Sequence, residues 1–367
     1  MGTVPIRSLS VPSTSFTPRR HLALMLALAV LLVSPALPSG AVAQVEVSSV
    51  AIVTPASRTN QGWDQQGVDN LVAVGAETGV AVEVAENAGY DDITPILLDL
   101  ASDGSQLIVC HASGYQTVCP DFAVMEEVPV VVIENPGAVL AGRVSDIETQ
   151  AQEAAYLAGV MAGNETRTGT VAIVVTGQPP TWNYMAVGFA EGLKASRPDV
   201  HLIYTSVGEG TYDDAPGAKQ VTDTVLAANA DIVFGMGDGA AFGMVQSIRE
   251  FNQSRPVEQR ARFIDVIGDK SQGDARDLLL TSVLFDYTAA YTQFIADLKS
   301  GTFGSVYTMN VANNGVRLLA PPIPVRPETT AAVEAARIAI VDGSVLVSAI
   351  GDANGMQARL DVLFPRT

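Results

Sequence analysis

The chain has 367 residues, enough for two domains of ordinary size, and 39 acidic against 21 basic residues give a net charge of −18 at pH 7. A surface this acidic excludes general nucleic-acid binding and attraction to anionic lipid, and it disfavours anionic ligands outside a local basic pocket. The acids are dispersed, which excludes a disordered acidic tail.

At the N-terminus, Arg19 and Arg20 precede an apolar run from Leu22 to Val33, and small residues follow to Ala41-Val42-Ala43. Charged, apolar, then A-x-A is the order of a secretory signal. It predicts a signal peptide over 1–43, cleavage before Gln44, and an exported, periplasmic product. The Arg pair also fits a twin-arginine route, with Pro18 and His21 against it. An uncleaved anchor is the alternative, but the run is short for a membrane span. No Cys near the cleavage point offers a lipid anchor. The segment carries three Arg and no acid, so its removal leaves the chain more acidic still.

From residue 45 the pattern alternates. Strands are expected at Val45–Val53, Val80–Ala85, Gln106–Cys110 and Val128–Ile133, with helices at Gln61–Gly79 and Ile93–Ala101 between them. Each of these helices meets a Gly at or just beyond its end, the usual stop. The helix Thr149–Gly163 is expected to pack under the first lobe. The pattern then restarts: strand Val171–Val175, helix Ala186–Ser196, strand Val200–Thr205, helix Ala215–Ala228. Next comes Asp231–Glu250, read as a buried strand, a corner with Gly235, Gly237 and Gly239, and an amphipathic helix. The strand Phe263–Ile267 follows. Two βαβ series of similar size predict an α/β protein of two related lobes, each a doubly wound parallel sheet, joined by short crossovers that act as a hinge. The boundaries expected are 44–150 for the first lobe and 151–277 for the second. A strand Leu278–Leu284 with its helix, around 278–303, returns to the first lobe, and 304–367 is added to the second. Asn313-Asn314-Gly315 predicts a hairpin across Tyr307–Leu319. A last helix covers Thr329–Asp342.

The only cysteines are Cys110 and Cys119. In an exported chain they either close a small loop as a disulfide or stay as two buried thiols.

Outside the signal segment only His111 and His201 remain, without metal-ligand spacing, and no nucleophile elbow, zinc-protease or phosphate-loop motif occurs. No metal, cofactor or catalytic constellation is therefore indicated, and binding is favoured over catalysis. Strand ends, where open parallel sheets collect ligands, carry polar and aromatic residues. Asn60, Trp63 and Asp64 follow the first strand, Ser113 and Tyr115 the third, and Trp182 and Asn183 the first strand of the second lobe. Asp238, with Gly237, sits in the glycine corner, and Asp269 ends the late strand. Aromatic faces stack on flat rings, amides read ring edges, and a carboxylate takes two hydrogen bonds from a vicinal diol. The set suits a nucleoside-like heterocycle held between lobes. Each Trp could equally be packing, and Asp269 a helix cap.

These positions sit within a wider resemblance. Glu153-Ala154-Ala155-Tyr156-Leu157-Ala158-Gly159, Gly188-Phe189-Ala190-Glu191-Gly192, Ala230-Asp231-Ile232-Val233-Phe234, Val266-Ile267-Gly268-Asp269, Leu280-Thr281-Ser282-Val283 and Gly301-Thr302-Phe303 follow in an order and spacing that resemble the basic membrane protein family of ABC-transporter substrate-binding proteins, which includes purine-nucleoside receptors. The resemblance covers about Val50 to Leu319. It implies a type 1 periplasmic-binding-protein fold and delivery of a nucleoside-like small molecule to ABC permease subunits; beside it, a monomer without cofactor is expected. By the family's pattern, Trp63-Asp64-Gln65 matches its aromatic-Asn-Gln run, Tyr115 its aromatic after the third strand, Gly237 to Gly239 its glycine wall, and Asp269 its ribose-binding acid. The chain departs from that pattern at Asp64, at Asn60 and Thr59, near Cys119, and at Phe285, where the family often has Lys. Asp238 is an extra carboxylate, suited to a cationic or donor-rich ligand. Receptors for a sugar, amino acid or modified base, or a sensory ligand-binding protein, are the alternatives.

Overall fold

The computed structural model describes residues 46–365. The expected signal peptide lies outside the described residues. In the first half of the chain, β1 (Ser49–Val53), α1 (Trp63–Thr78), β2 (Ala81–Ala85), α2 (Thr94–Ser102), β3 (Ile108–Cys110), α3 (Val118–Glu126), β4 (Val130–Ile133), β5 (Val144–Thr149) and α4 (Ala151–Glu165) follow in order. The second series is β6 (Thr170–Val175), α5 (Pro180–Ser196), β7 (His201–Ser206), α6 (Ala215–Ala227), β8 (Ile232–Met236), α7 (Ala241–Asn252), β9 (Arg262–Ile267) and β10 (Leu279–Phe285). The chain ends with α8 (Thr288–Ser300), β11 (Val306–Met309), β12 (Val316–Leu318), α9 (Pro327–Val341) and α10 (Ala353–Leu363).

Two six-stranded sheets result, in the orders β11-β5-β4-β3-β1-β2 and β12-β10-β9-β8-β6-β7. Every pairing is parallel except β10 with β12. Central strands such as Val130–Ile133 and Ile232–Met236 are buried along their whole length. Strands covered on both faces read as continuous apolar runs rather than alternating ones. The helix α1 stops at Gly79, whose φ of 72° closes a left-handed cap on the Gly75 carbonyl. Cys110 and Cys119 are joined as a disulfide that ties the end of β3 to α3.

The chain passes between the sheets three times: after β5, after β10, and between β11 and β12. Three expectations change as a result. The return segment around 278–303 divides. Its strand, β10, stays in the second sheet beside β9, and only its helix, α8, packs on α1 of the first lobe. The 307–319 hairpin does not form, because β11 joins β5 and β12 joins β10 in different sheets. Asn313 and Asn314 do turn the chain there, with Asn314 at φ 59°, but the turn carries the chain across the hinge rather than back on itself. For the same reason β11, within 304–367, belongs to the first sheet.

Helix α4 packs against α5 and α9, so it belongs to the second lobe and not beneath the first. The cause is a seam of glycines. A Cβ at Gly188 would run into the Gln152 backbone, one at Gly192 into the Tyr156 carbonyl oxygen, and one at Gly159 into the Phe189 carbonyl oxygen. The two motifs Glu153–Gly159 and Gly188–Gly192 are thus the two sides of one close helix contact. The C-terminal α9 and α10 cover α4 and α5 in turn. Glu165 holds this layer: it pairs with Arg262 (2.7 Å) and Arg326 (3.4 Å) and accepts from the Thr329 hydroxyl (2.6 Å).

Gly192→Ala places a methyl against backbone that cannot yield, and overpacking of this kind costs about 2 kcal/mol or more. Chemical denaturation should show that loss; a midpoint equal to wild type would mean that α4 and α5 do not touch at this point.

Candidate functional site

Loops at the carboxyl ends of six strands enclose one cleft between the lobes. From the first lobe, Pro55, Trp63 and Asp64 follow β1, Tyr90 follows β2, and Ala112 and Ser113 follow β3. From the second, Pro179, Thr181 and Trp182 follow β6, Tyr212 follows β7 and Asp238 follows β8. The cleft holds about 480 Å³ of empty space, partly open to solvent. An outer chamber of about 700 Å³ shares Pro55, Asp64, Tyr90, Tyr212 and Asp238 with it and adds Asp213 and Asp214.

The two walls meet at the N-terminus of α1. Its N-cap residue is Gly62, which has no side chain to satisfy the first free N–H groups. The cap comes instead from the other lobe: the Trp63 backbone N–H donates to Asp238 Oδ1 at 2.9 Å. A carboxylate is well placed at the positive end of a helix. Gly62 is required there, because a Cβ would collide with the Asp238 carboxylate. The glycines of the β8 corner act in the same way. None of Gly235, Gly237 and Gly239 has a positive φ. A Cβ at Gly235 would meet Met244 and Phe263 at 2.5 Å, and one at Gly237 would meet Thr176 at 2.9 Å. Asp238 does not cap the helix that follows it, α7; it reaches α1 instead.

Trp63 is fixed from behind. Its indole N–H donates to the His111 carbonyl (3.0 Å), and its ring stacks on the His111 imidazole with centroids 5.0 Å apart. Phe285 and Tyr287 approach its edge at 5.9 and 6.1 Å. Burial pushes the His111 pKa down to about 4, so it is a neutral platform at pH 7. Across the cleft the buried Trp182 ring meets Tyr212 edge-on, with centroids 5.2 Å apart. Asn60, also buried, orients Asp64 by donating its side-chain N–H to Oδ2 (2.7 Å), and the Ala56 N–H donates to Oδ1 (3.1 Å).

Of the residues singled out from sequence, Trp63, Asp64, Ser113, Trp182 and Asp238 line the cleft, and Asn60, Gly237 and Phe285 stand behind it. Three lie elsewhere. Tyr115 is 1% exposed in the first-lobe core and donates its hydroxyl to the Gly89 carbonyl (2.7 Å), so it carries the loop of Tyr90 rather than lining the cleft. Asn183 donates to the Gln178 and Gly351 carbonyls and ties α5 to the C-terminal segment. Asp269 is exposed and accepts from the Ser271 N–H. The reason is a tight turn after β9, in which the Gly268 N–H bonds to the Val266 carbonyl (2.9 Å) around Ile267 at φ 73°. A positive φ is strained for a β-branched residue. Beyond that turn Lys270, not Asp269, is buried, and it pairs with Asp265. Tyr90 and Tyr212 were missed. Both follow strand ends, which is the signal that could have found them.

The acids of the site carry the electrostatics. Burial, then the facing Asp64, push Asp238 up to about 7. Asp64 is also raised, chiefly by burial. Beside the first crossover, burial lifts Glu134 to about 7, and burial with the adjacent Glu148 lifts Asp146 to about 7. Among the described residues no group of His, Cys, Asp and Glu is disposed to hold a metal ion, and no helix is long and apolar enough to cross a membrane.

Residues 47–349 match the family described as ABC transporter substrate-binding protein, PnrA-like. The chain is 24% identical over 205 residues to the ABC transporter nucleoside-binding protein BmpA of Lactococcus lactis, a match that covers 53% of this chain and only 57% of that relative. Among solved structures it resembles ABC transporter solute-binding proteins of Conexibacter woesei (TM-score 0.70, 18% identity, 83% of this chain and 100% of that one) and Aeropyrum pernix (TM-score 0.71, 18% identity, 87% and 97%). At that identity the likeness is one of fold, the two-lobed periplasmic-binding type.

A carboxyl whose folded pKa lies above its unfolded value stabilises the fold in acid and loses that contribution as pH rises through the folded pKa. Asp238, Glu134 and Asp146 all act in this direction between about pH 4 and 7. Thermal unfolding should therefore occur several degrees higher at pH 5.5 than at pH 8, and Asp238→Asn should flatten part of that slope by raising the pH 8 value. A melting temperature that climbs with pH would contradict the assignment.

Proposed function

The chain belongs to the PnrA-like family of ABC transporter substrate-binding proteins, and from that premise we propose that it is the extracytoplasmic receptor of an ABC importer, which takes a nucleoside or similar small heterocycle between its lobes and presents it to permease subunits at the membrane. The observation that carries the reading is the convergence of six strand-end loops on one space. Four aromatic side chains, Trp63, Tyr90, Trp182 and Tyr212, and two carboxylates, Asp64 and Asp238, line that space, with both lobes supplying each kind. Flat rings gain stacking energy on such faces, and carboxylates accept from ring or ribose donors. The nucleoside-binding designation of the Lactococcus relative supports the same ligand class. The chain's role is to bind and release. Closure about the three crossovers buries the ligand, and opening delivers it.

Isothermal calorimetry with purine and pyrimidine nucleosides tests the reading. Binding at micromolar level is expected. Trp63→Ala and Trp182→Ala should each weaken it by about tenfold to a hundredfold, the worth of one base–aromatic stack. Overnight incubation should release no free base. If no nucleoside binds, the ligand class is wrong.

A further inference from the structure

We propose that the ligand of this cleft carries a positive charge on its ring, as a protonated or N-alkylated heteroaromatic compound, and that Asp238 and Asp64 are its ion partners. The inference rests on the receptor reading above and narrows its substrate class.

The first support is the charge of the walls. None of the residues lining the cleft or its outer chamber is Lys, Arg or His, whereas Asp64, Asp238, Asp213 and Asp214 all are among them. Lys270, which reaches a neighbouring cavity on another side of Asp238, is committed to Asp265. Asp214 caps α6 through the Gly217 N–H, and Asp213 accepts from the Gly239 N–H, so both are held in place at the mouth.

The second support is the state of the carboxylates. Asp238 spends Oδ1 on the Trp63 N–H, and its Oδ2 has no hydrogen-bond partner among the described residues. Asp64 stands close enough to disfavour the charged form of Asp238, and Lys270, outside the cleft and paired with Asp265, offsets this only in part. Two carboxylates facing one space are stabilised together by a cation between them. A neutral ring relieves the repulsion only through its N–H donors, and a phosphate-bearing ligand adds to it. The third support is the aromatic lining. Indole and phenol faces attract a cationic ring through their quadrupoles and hold a neutral one by stacking alone. The same four rings that serve any flat ligand thus favour a charged one.

Two pairs of probes isolate charge from shape. Adenosine and 1-methyladenosine share ribose and ring surface, but only the second is cationic at pH 7. Nicotinamide and 1-methylnicotinamide form the same contrast without a ribose. By calorimetry on the whole exported chain at pH 7, the cation of at least one pair should bind about tenfold or more tighter than its neutral counterpart, as expected for hydrogen bonds to charged groups. Asp238→Asn should weaken binding of the cation by about tenfold more than it weakens binding of the neutral partner, so that the preference is lost, and its melting curve reports whether it folds. Equal or weaker binding of both cations, or no binding in either pair, overturns the inference. The two readings fail separately. If neutral nucleosides bind and the cations do not, the charge assignment alone falls. If only 1-methylnicotinamide binds, the nucleoside class falls and the charge assignment stands.

Discussion

The architecture of the cleft depends on one hydrogen bond, from the Trp63 backbone N–H of one lobe to the Asp238 carboxylate of the other. A helix start needs an acceptor for its free N–H groups. Gly62 cannot supply one, and the opposite lobe does. Capping of α1 and contact between the lobes are therefore one event. Trp63 is the residue at which this happens, so its indole is placed at the junction of the two walls, with His111, Phe285 and Tyr287 behind it. The space at the junction is kept by small residues. A Cβ at Gly62 would occupy the position of the Asp238 carboxylate, one at Gly67 would enter the His111 ring, and one at Gly268 would lie 2.8 Å from the Gln61 carbonyl oxygen across the interface.

The arrangement is costly in isolation. Buried or part-buried acids face one another in a cleft that no base lines, and Ile267 sits in a backbone conformation that a β-branched residue rarely adopts. The rest of the chain offsets this with rigid supports placed away from the cleft. The first lobe has the Cys110–Cys119 bridge under the loop that carries Ser113. The second has the glycine seam of α4 and α5, and the Glu165 carboxylate held by Arg262, Arg326 and Thr329. Glu165 is the opposite of Asp238: its hydrogen bonds and Arg partners hold it down at about 2 despite burial, so it stays ionised wherever the protein is folded near neutral pH. One acid is satisfied and structural. The other is left with an oxygen to spare in the cleft between the lobes.

The motifs behind the family resemblance divide along the same line. Glu153–Gly159 and Gly188–Gly192 are the helix seam of the second lobe, and none of these residues lines the cleft. They identify the fold because backbone contact tolerates so few residue types. The cleft is lined by strand-end loops and the first turns of α1 and α5, where side chains are less constrained than at a backbone contact, and two departures read from the sequence resemblance, Asp64 and Asp238, fall among such residues.

Much of the fold was therefore legible before any coordinates. Apolar runs of β-rich residues, helical spacing between them, and Gly at helix ends specify local structure by short-range sterics and burial, and so the two βαβ series, the strand–corner–helix at 231–250 and the strand-end location of Trp63, Trp182 and Asp238 could be read from the residues. What sequence could not decide was every question of partnership across long separations. Whether 279–285 pairs in the first or second sheet, whether Asn313-Asn314-Gly315 closes a hairpin or a crossover, and whether Asp238 caps α7 or α1 all depend on groups brought together from distant parts of the chain. The same holds for side-chain direction: one strained residue, Ile267, turns Asp269 out to solvent and Lys270 in. Local sequence determines which elements form, while the competition among all of them for the same buried volume and hydrogen-bond partners determines which residues meet.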